Sequence, residues 1–224
     1  MTDDLVAHHL AACIDSTLLK AEAAKDDIIR CCQEACQYEM AAVCVNPGRL
    51  KLVIENLKGS QVAPCTVVGF PLGSFSVEHK LVEIDWALSV GAREIDMVMN
   101  IGLFKDREIE AVAGEIGQAV NLTRNRGALL KVIVETSALS EEELRKAAFM
   151  VLNSGADFIK TSTGYGARGV SLEDLRIIRE TVGQGLKVKA SGGIRTHDFA
   201  VKLLKAGADR LGTSNAIEIV KGEA

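Results

Sequence analysis

Eight short apolar runs alternate along the chain with seven amphipathic stretches of helical length. Strand-like runs fall at 11–15, 41–46, 62–69, 92–98, 128–136, 156–162, 187–191 and 210–214. Helix-like segments lie between them at 25–38, 48–58, 77–90, 105–126, 140–154, 171–182 and 196–206. The joints are alike. Gly91-Ala92, Gly155-Ala156-Asp157 and Gly207-Ala208-Asp209 each close a helix on a residue suited to a left-handed cap and open a strand at once. Ser140 with Glu143 and Ser171 with Asp174 fit capping boxes, and Thr196 precedes a further helix. Strands joined by helical crossovers run parallel. Eight such steps without a linker predict an α/β chain, a single (β/α)8 TIM barrel over residues 1–224, with a short N-terminal helix near 2–10 capping its bottom. A doubly wound open sheet is the alternative. It would show fewer strands in this length and a GxGxxG turn after its first strand, which is missing.

Composition narrows the class. Hydrophobic residues make up 48% and charged residues 25%, as in soluble globular chains, while 4% aromatic content requires an aliphatic, alanine-rich core. A net charge of −4 with no basic run speaks against a nucleic-acid partner. No apolar stretch reaches the ~18 residues of a membrane span, and the acidic start does not read as a signal peptide. The six cysteines show no paired CxxC, so free thiols in a reducing cytoplasm are expected. The four histidines fall in helices or loops rather than at strand ends, which disfavours a metal-dependent chemistry; no other cofactor is expected.

Two strands break the apolar rule. Phe158-Ile159-Lys160-Thr161-Ser162-Thr163-Gly164 and Lys187-Val188-Lys189-Ala190-Ser191-Gly192-Gly193 each carry lysine towards a glycine turn. A buried charge is costly unless it is paired or neutralised. With Lys160 taken as inward, strand alternation gives interior acids Asp15, Glu94, Asp96 and Glu135 against bases Lys131, Lys160, Lys187 and Lys189. Glu94, Lys131 and Lys187 would form a salt-bridge network low in the barrel. Asp96, Lys160 and Lys189 fall near the C-terminal strand ends, where barrels build their sites. A lysine beside a second ammonium loses its proton more readily and then attacks carbonyls, and a carboxylate can relay the protons. Lys160 is thus the expected nucleophile, Lys189 its neighbour and Asp96 the relay. Gly192-Gly193 after strand seven and Gly212-Thr213-Ser214 ending strand eight suggest a phosphate site, with Arg195 and Ser214 as direct contacts. Asp15, Cys44, Thr163 and Tyr165 complete the candidate pocket, although Cys44 reads equally well as a small core residue.

FIKTSTG, KASGGIRT, GFPLG at 69–73 and EIDMVMNIG together resemble the 2-deoxyribose-5-phosphate aldolase family, class I aldolases of deoxynucleoside catabolism. The resemblance runs from Ile14-Asp15-Ser16-Thr17-Leu18-Leu19 through Leu139-Ser140 to Leu211-Gly212-Thr213-Ser214. It implies reversible cleavage of 2-deoxy-D-ribose 5-phosphate to D-glyceraldehyde 3-phosphate and acetaldehyde, by a homodimer or homotetramer. It places the Schiff base on Lys160, the second lysine on Lys189, the relay on Asp96 and the phosphate on Gly164, Gly192, Gly193, Gly212 and Ser214. Two departures stand out. Some members carry a lysine directly after the TSTG turn, where this chain has Tyr165, so Arg168, Arg195 or backbone amides would supply the compensation. Some also bring in a tyrosine from a C-terminal tail; here the tyrosines are Tyr38 and Tyr165, and only Tyr165 falls near the site. The alternatives are a transaldolase-type Schiff-base barrel and a phosphosugar-binding barrel without catalysis.

Overall fold

The structure, a computed structural model, describes residues 10–222. Eight parallel strands close in chain order: β1 (Ile14–Leu18), β2 (Ala42–Val45), β3 (Ala63–Val68), β4 (Glu94–Val98), β5 (Leu129–Ile133), β6 (Phe158–Lys160), β7 (Lys187–Ser191) and β8 (Arg210–Thr213). β8 pairs back onto β1, with Asp15 opposite Gly212. The crossovers are α1 (Lys25–Gln37), α2 (Leu50–Asn56), α3 (Val77–Val90), the pair α4 (Ile101–Lys105) and α5 (Ile109–Asn125), α6 (Glu141–Asn153), α7 (Leu172–Val182) and α8 (His197–Lys205); α9 (Ala216–Lys221) follows β8. The expected capping helix at 2–10 lies outside the described residues except for Leu10.

Local chemistry sets the helix ends. Ser140 Oγ accepts from Glu143 N at 3.3 Å and Ser171 Oγ from Asp174 N at 3.1 Å, both as reciprocal capping boxes. Thr196 Oγ1 accepts from Phe199 N at 3.2 Å. The strands' outer faces, with Ile95, Met97, Leu130, Ile159, Val188 and Leu211, pack under helix residues such as Ile84, Ile116, Ala147, Leu175 and Leu203. The interior divides in two. On the β2–β3 side it holds a separate apolar group of small residues, Ala42, Cys44, Ala63, Cys65 and Val67 with Leu19. The other side is charged.

Several expectations need correction. β1 begins at Ile14, because the alanines before it end a helix and Cys13 N turns back to Leu10 O at 3.0 Å. An alanine-rich run of this length does not distinguish helix from strand by periodicity. The segment 105–126 is broken: Arg107 adopts a left-handed conformation (φ 68°) between α4 and α5. β5 stops at Ile133 and Glu135 itself is left-handed (φ 55°), so strand alternation does not carry Glu135 into the barrel. Lys187 is exposed at the open start of β7, where its ammonium lies 5.5 Å from the Phe158 ring centroid. Its place inside is taken by Arg210, which reaches Asp15 at 2.5 Å and Glu94 at 3.4 Å.

Candidate active site

The charged half of the interior is organised on one carboxylate. Asp96, in the middle of β4, is fully buried and accepts from three lysine side chains. Its Oδ1 takes Lys131 Nζ at 2.8 Å; its Oδ2 takes Lys160 Nζ at 2.7 Å and Lys189 Nζ at 2.8 Å. A second carboxylate, Asp15, supports the first. It binds Lys189 through Oδ2, stands 3.5 Å from Lys131 and accepts from Arg210 through Oδ1. Glu94 closes the lower layer with Lys131 at 2.5 Å. The strands make this arrangement unavoidable: Asp96 is in register with Lys131, and Lys160 with Lys189, so alternating inward positions on neighbouring strands meet.

Burial alone would push the Asp96 carboxyl up, but Lys131, Lys160 and Lys189 overcome it and hold Asp96 well below the usual carboxylate range. Asp15 is lowered in the same way, against its burial, by Lys189, Lys131 and Arg210. Desolvation favours the neutral form of Lys189, yet Asp15 and Asp96 outweigh it and its pKa is raised. Lys131 is raised well above the ordinary lysine value by Asp96, with Cys65, Glu94 and Asp15 adding to it, against its own burial. Lys131 and Lys189 are therefore fixed ammoniums.

A cleft of about 310 Å³ opens at the C-terminal ends of the strands. Lys160 forms part of its floor, and Thr163, Gly164, Tyr165, Gly192, Gly193, Arg195, Gly212 and Ser214 line its walls. Asp96 and Lys189 sit directly beneath Lys160 and do not line the cleft. Asp15 and Cys44 are also below it rather than in its wall, since the cleft begins where their strands end. Cys44 Sγ is 3.9 Å from Asp96 Oδ2 and Cys65 Sγ donates to Oδ1 at 3.3 Å. Both sulfurs lie within 4.8 Å of the Asp96 carboxylate, whose oxygens already hold three ammonium groups.

The glycines do two separate things. Gly192 and Gly193 have φ of 86° and 75°, which turns the backbone after β7 in a way open to few other residues. Gly212 is needed for space: a Cβ there would stand 3.0 Å from Lys189 Cε. Thr163 is held by Glu135, whose Oε2 accepts from Thr163 N at 2.9 Å and Oγ1 at 2.6 Å. Tyr165 lies edge-on to Phe70 (5.5 Å, 87°), and its hydroxyl donates to Leu19 O at 2.8 Å, away from the lysine network. Arg168 does not serve the cleft: it forms a two-pronged ion pair with Asp174 at 2.6 and 2.9 Å.

Sequence reading missed Arg210, Cys65 and Lys20. Lys20 lines the cleft. Ending β1 at 15 places Lys20 well into a loop, whereas its true end at Leu18 puts Lys20 just past a C-terminal strand end, the position that signals a site residue in a barrel.

The closed parallel barrel, with an amine on the floor of its C-terminal cleft, is that of a (β/α)8-barrel aldolase. The comparisons name the family. The chain belongs to the DeoC/LacD family of aldolases, whose description matches residues 10–217. It is 50% identical over 212 residues to a deoxyribose-phosphate aldolase of Desulfitobacterium hafniense, covering 95% of this chain and 97% of that one. A deoxyribose-phosphate aldolase of Thermococcus kodakarensis is 48% identical over 215 residues (95% and 96% covered). A solved tetrameric deoxyribose phosphate aldolase of Aeropyrum pernix superposes with a TM-score of 0.90 at 34% identity, covering 98% of this chain and 94% of that one.

Proposed function

We propose that this chain is a class I aldolase that cleaves 2-deoxy-D-ribose 5-phosphate reversibly to D-glyceraldehyde 3-phosphate and acetaldehyde, with Lys160 as the Schiff-base residue. One observation carries the assignment of the nucleophile. Of the three lysines on Asp96, Lys160 is the one that lines the cleft, while Lys131 and Lys189 are sealed below as fixed cations. The sugar's phosphate would rest on Gly164, Gly192, Gly193, Gly212 and Ser214, with Arg195 adding charge.

The Lys160 amine, its proton passed to the network, adds to the aldehyde carbon of the open-chain sugar. The carbinolamine takes up a proton and loses water to give a protonated imine. Removal of the proton from the C3 hydroxyl breaks the C2–C3 bond, whose electron pair moves into the imine to form an enamine. Glyceraldehyde 3-phosphate leaves, a proton is added at C2, and water hydrolyses the imine to release acetaldehyde and the free amine. Asp96 Oδ2 accepts from Lys160 at 2.7 Å and from Lys189 at 2.8 Å, so a proton leaving or returning to Lys160 has one carboxylate oxygen through which to pass. Lys189, held as an ammonium, keeps positive potential beside the amine throughout.

The test is direct. Incubation with acetaldehyde, reduction with borohydride and peptide mapping should give one adduct, on Lys160, and none in Lys160→Ala. An adduct that persists in Lys160→Ala overturns the assignment. A homodimer or homotetramer is part of the same reading. Exposed Phe75, Val82 and Trp86 around α3 and the tetrameric Aeropyrum relative support it, and light scattering on the eluting protein tests it. Among the described residues no helix is long and apolar enough to cross a membrane, which fits the proposed cytoplasmic enzyme.

A further inference from the structure

The cleft holds a cation that the catalytic reading leaves unused. Lys20 is exposed, lies just past the end of β1, and shares the cleft wall with Gly164, Gly192, Gly193, Arg195 and Ser214. Some exposed cations are engaged, as Arg145 is with Glu141 and Glu180, Lys146 with Glu142 and Arg176 with Glu173; others, such as Lys51 and Lys58, are exposed without an ion pair among the described residues, and Lys20 and Arg195 differ from these in lining the cleft. Lys20 and Arg195 have no carboxylate partner among the described residues. Two unpaired cations facing a glycine-turned backbone in a concave wall form a field suited to a doubly charged anion.

The backbone that carries Lys20 is also fixed with care. The carbonyl of Leu19, the preceding residue, accepts from Tyr165 Oη at 2.8 Å and from Asn46 Nδ2 at 3.0 Å. Tyr165 is fixed in turn. Its N–H donates to Thr163 Oγ1 at 3.0 Å, Thr163 donates to Glu135 from both N and Oγ1, and the ring packs on Phe70. Glu135 holds this place in a left-handed conformation that side-chain-bearing residues adopt at a cost. A chain of contacts thus runs from the end of β5, through the turn after β6, to the loop after β1, and it ends one residue short of Lys20.

We propose that Lys20 is the cationic anchor for the substrate's phosphate group, and that Tyr165 is a positioning residue whose hydroxyl clasps Leu19 to hold that anchor over the glycine wall. The inference rests on the phosphosugar reading of the cleft and adds to it the residue that selects for the phosphate. A phosphate dianion then meets Lys20 and Arg195 together with backbone N–H groups, and an unphosphorylated sugar gains nothing from either cation. Tyr165 contributes by geometry and not by charge or proton transfer, because its hydroxyl is committed to a backbone carbonyl.

Two measurements test this. Calorimetry with glycerol 3-phosphate, with glycerol as control, reads the anchor without any need for catalysis. Lys20→Gln should weaken glycerol 3-phosphate by about 10- to 100-fold, the worth of a charge-assisted hydrogen bond, and Lys20→Arg should stay within a few-fold of the parent. Kinetics with 2-deoxyribose 5-phosphate and with 2-deoxyribose read selectivity: the kcat/KM preference for the phosphorylated sugar should fall in Lys20→Gln, mainly through KM. Tyr165→Phe keeps the ring on Phe70 and removes the clasp, and should lower the same preference by about 3- to 10-fold, the value of one neutral hydrogen bond. Unchanged glycerol 3-phosphate affinity in Lys20→Gln overturns the anchor, as does an equal loss in Lys20→Arg. An unchanged preference in Tyr165→Phe overturns the clasp. Loss of glycerol 3-phosphate binding in Lys20→Gln, in a parent that forms no borohydride-trapped adduct, would sink the aldolase reading and leave the anchor standing.

Discussion

The molecule buries lysine in two different ways. Lys80 on α3 is sealed between the helix layer and the barrel, bonded to Glu115 at 2.6 Å and to Val98 O at 2.9 Å. Lys160 has one carboxylate oxygen, Asp96 Oδ2, which it shares with Lys189, and it opens on a cleft. Both are almost wholly removed from water. Lys80 has one carboxylate to itself, with no second lysine or arginine paired to it among the described residues, and it does not line the cleft. Lys160 has a contested partner and an open side. Burial by itself therefore does not single out the lysine proposed to react; what sets Lys160 apart is a shared counter-ion at the edge of a cavity.

Substitutions can break that contrast. Lys160→Ala should lower turnover of 2-deoxyribose 5-phosphate to background in a steady-state assay while the protein still folds, because Asp96 keeps Lys131 and Lys189. Asp96→Asn comes next. It leaves three ammoniums around an amide, so turnover should fall by about 10²- to 10⁴-fold and urea unfolding should show a loss of about 3–5 kcal/mol. Lys189→Met should cut kcat by about 10²-fold or more with a smaller loss of stability, since Asp15 retains Arg210 and Lys131. A folded Lys189→Met enzyme with parental kcat would remove Lys189 from the relay. Lys80→Met reverses the pattern. It should cost about 3–5 kcal/mol by stranding Glu115, with kcat per folded molecule within a few-fold, and adding Glu115→Met should restore much of the stability.

The smallest effect is one of sign. Burial lowers the Lys80 pKa more than Glu115 and Glu83 raise it. Just below its unfolded value of about 10.4, the unfolded chain holds a proton on Lys80 that the folded chain has begun to lose, so this contribution to stability grows as pH rises towards that value. Lys131 and Lys189 are shifted upwards, so their contribution is full below about 10.4 and declines only as pH rises through their folded values. The stability deficit of Lys80→Met relative to the parent should therefore widen between about pH 8 and 10. Chemical unfolding across that range measures it, and a deficit that narrows would contradict the opposite signs.

The same contrast explains what could be read from the sequence. Asp96, Lys160 and Lys189 were legible because a strand alternates every second residue, so a charge in an apolar strand has only two places to go. The barrel followed from the repeated joints at Gly91, Gly155 and Gly207. Alternation says nothing about height along the barrel axis, and Lys187 at the rim and Arg210 reaching back to Asp15 were misassigned for that reason. Lys80 gave no signal, since one lysine on a helix face looks solvated until the packing is known. Glu135 was lost to a turn, and Lys20 to a strand boundary placed three residues early.

The chamber beneath the cleft has a consequence for isotopes. Lys131 and Lys189 are fully buried, and Lys160 is the one lysine of the three that reaches the cleft wall. In the proposed reading, hydrogens on Asp96 and the two buried lysines reach the cleft through Lys160, and the barrel's other end through Asp15 and the partly exposed Arg210. In that reading a deuteron lifted from a labelled substrate would enter a small pool and could return to the same molecule before it is diluted. If Lys160 and Asp96 act as proposed, the fraction of label returned to product would report how fast the barrel interior trades hydrogens with water compared with turnover.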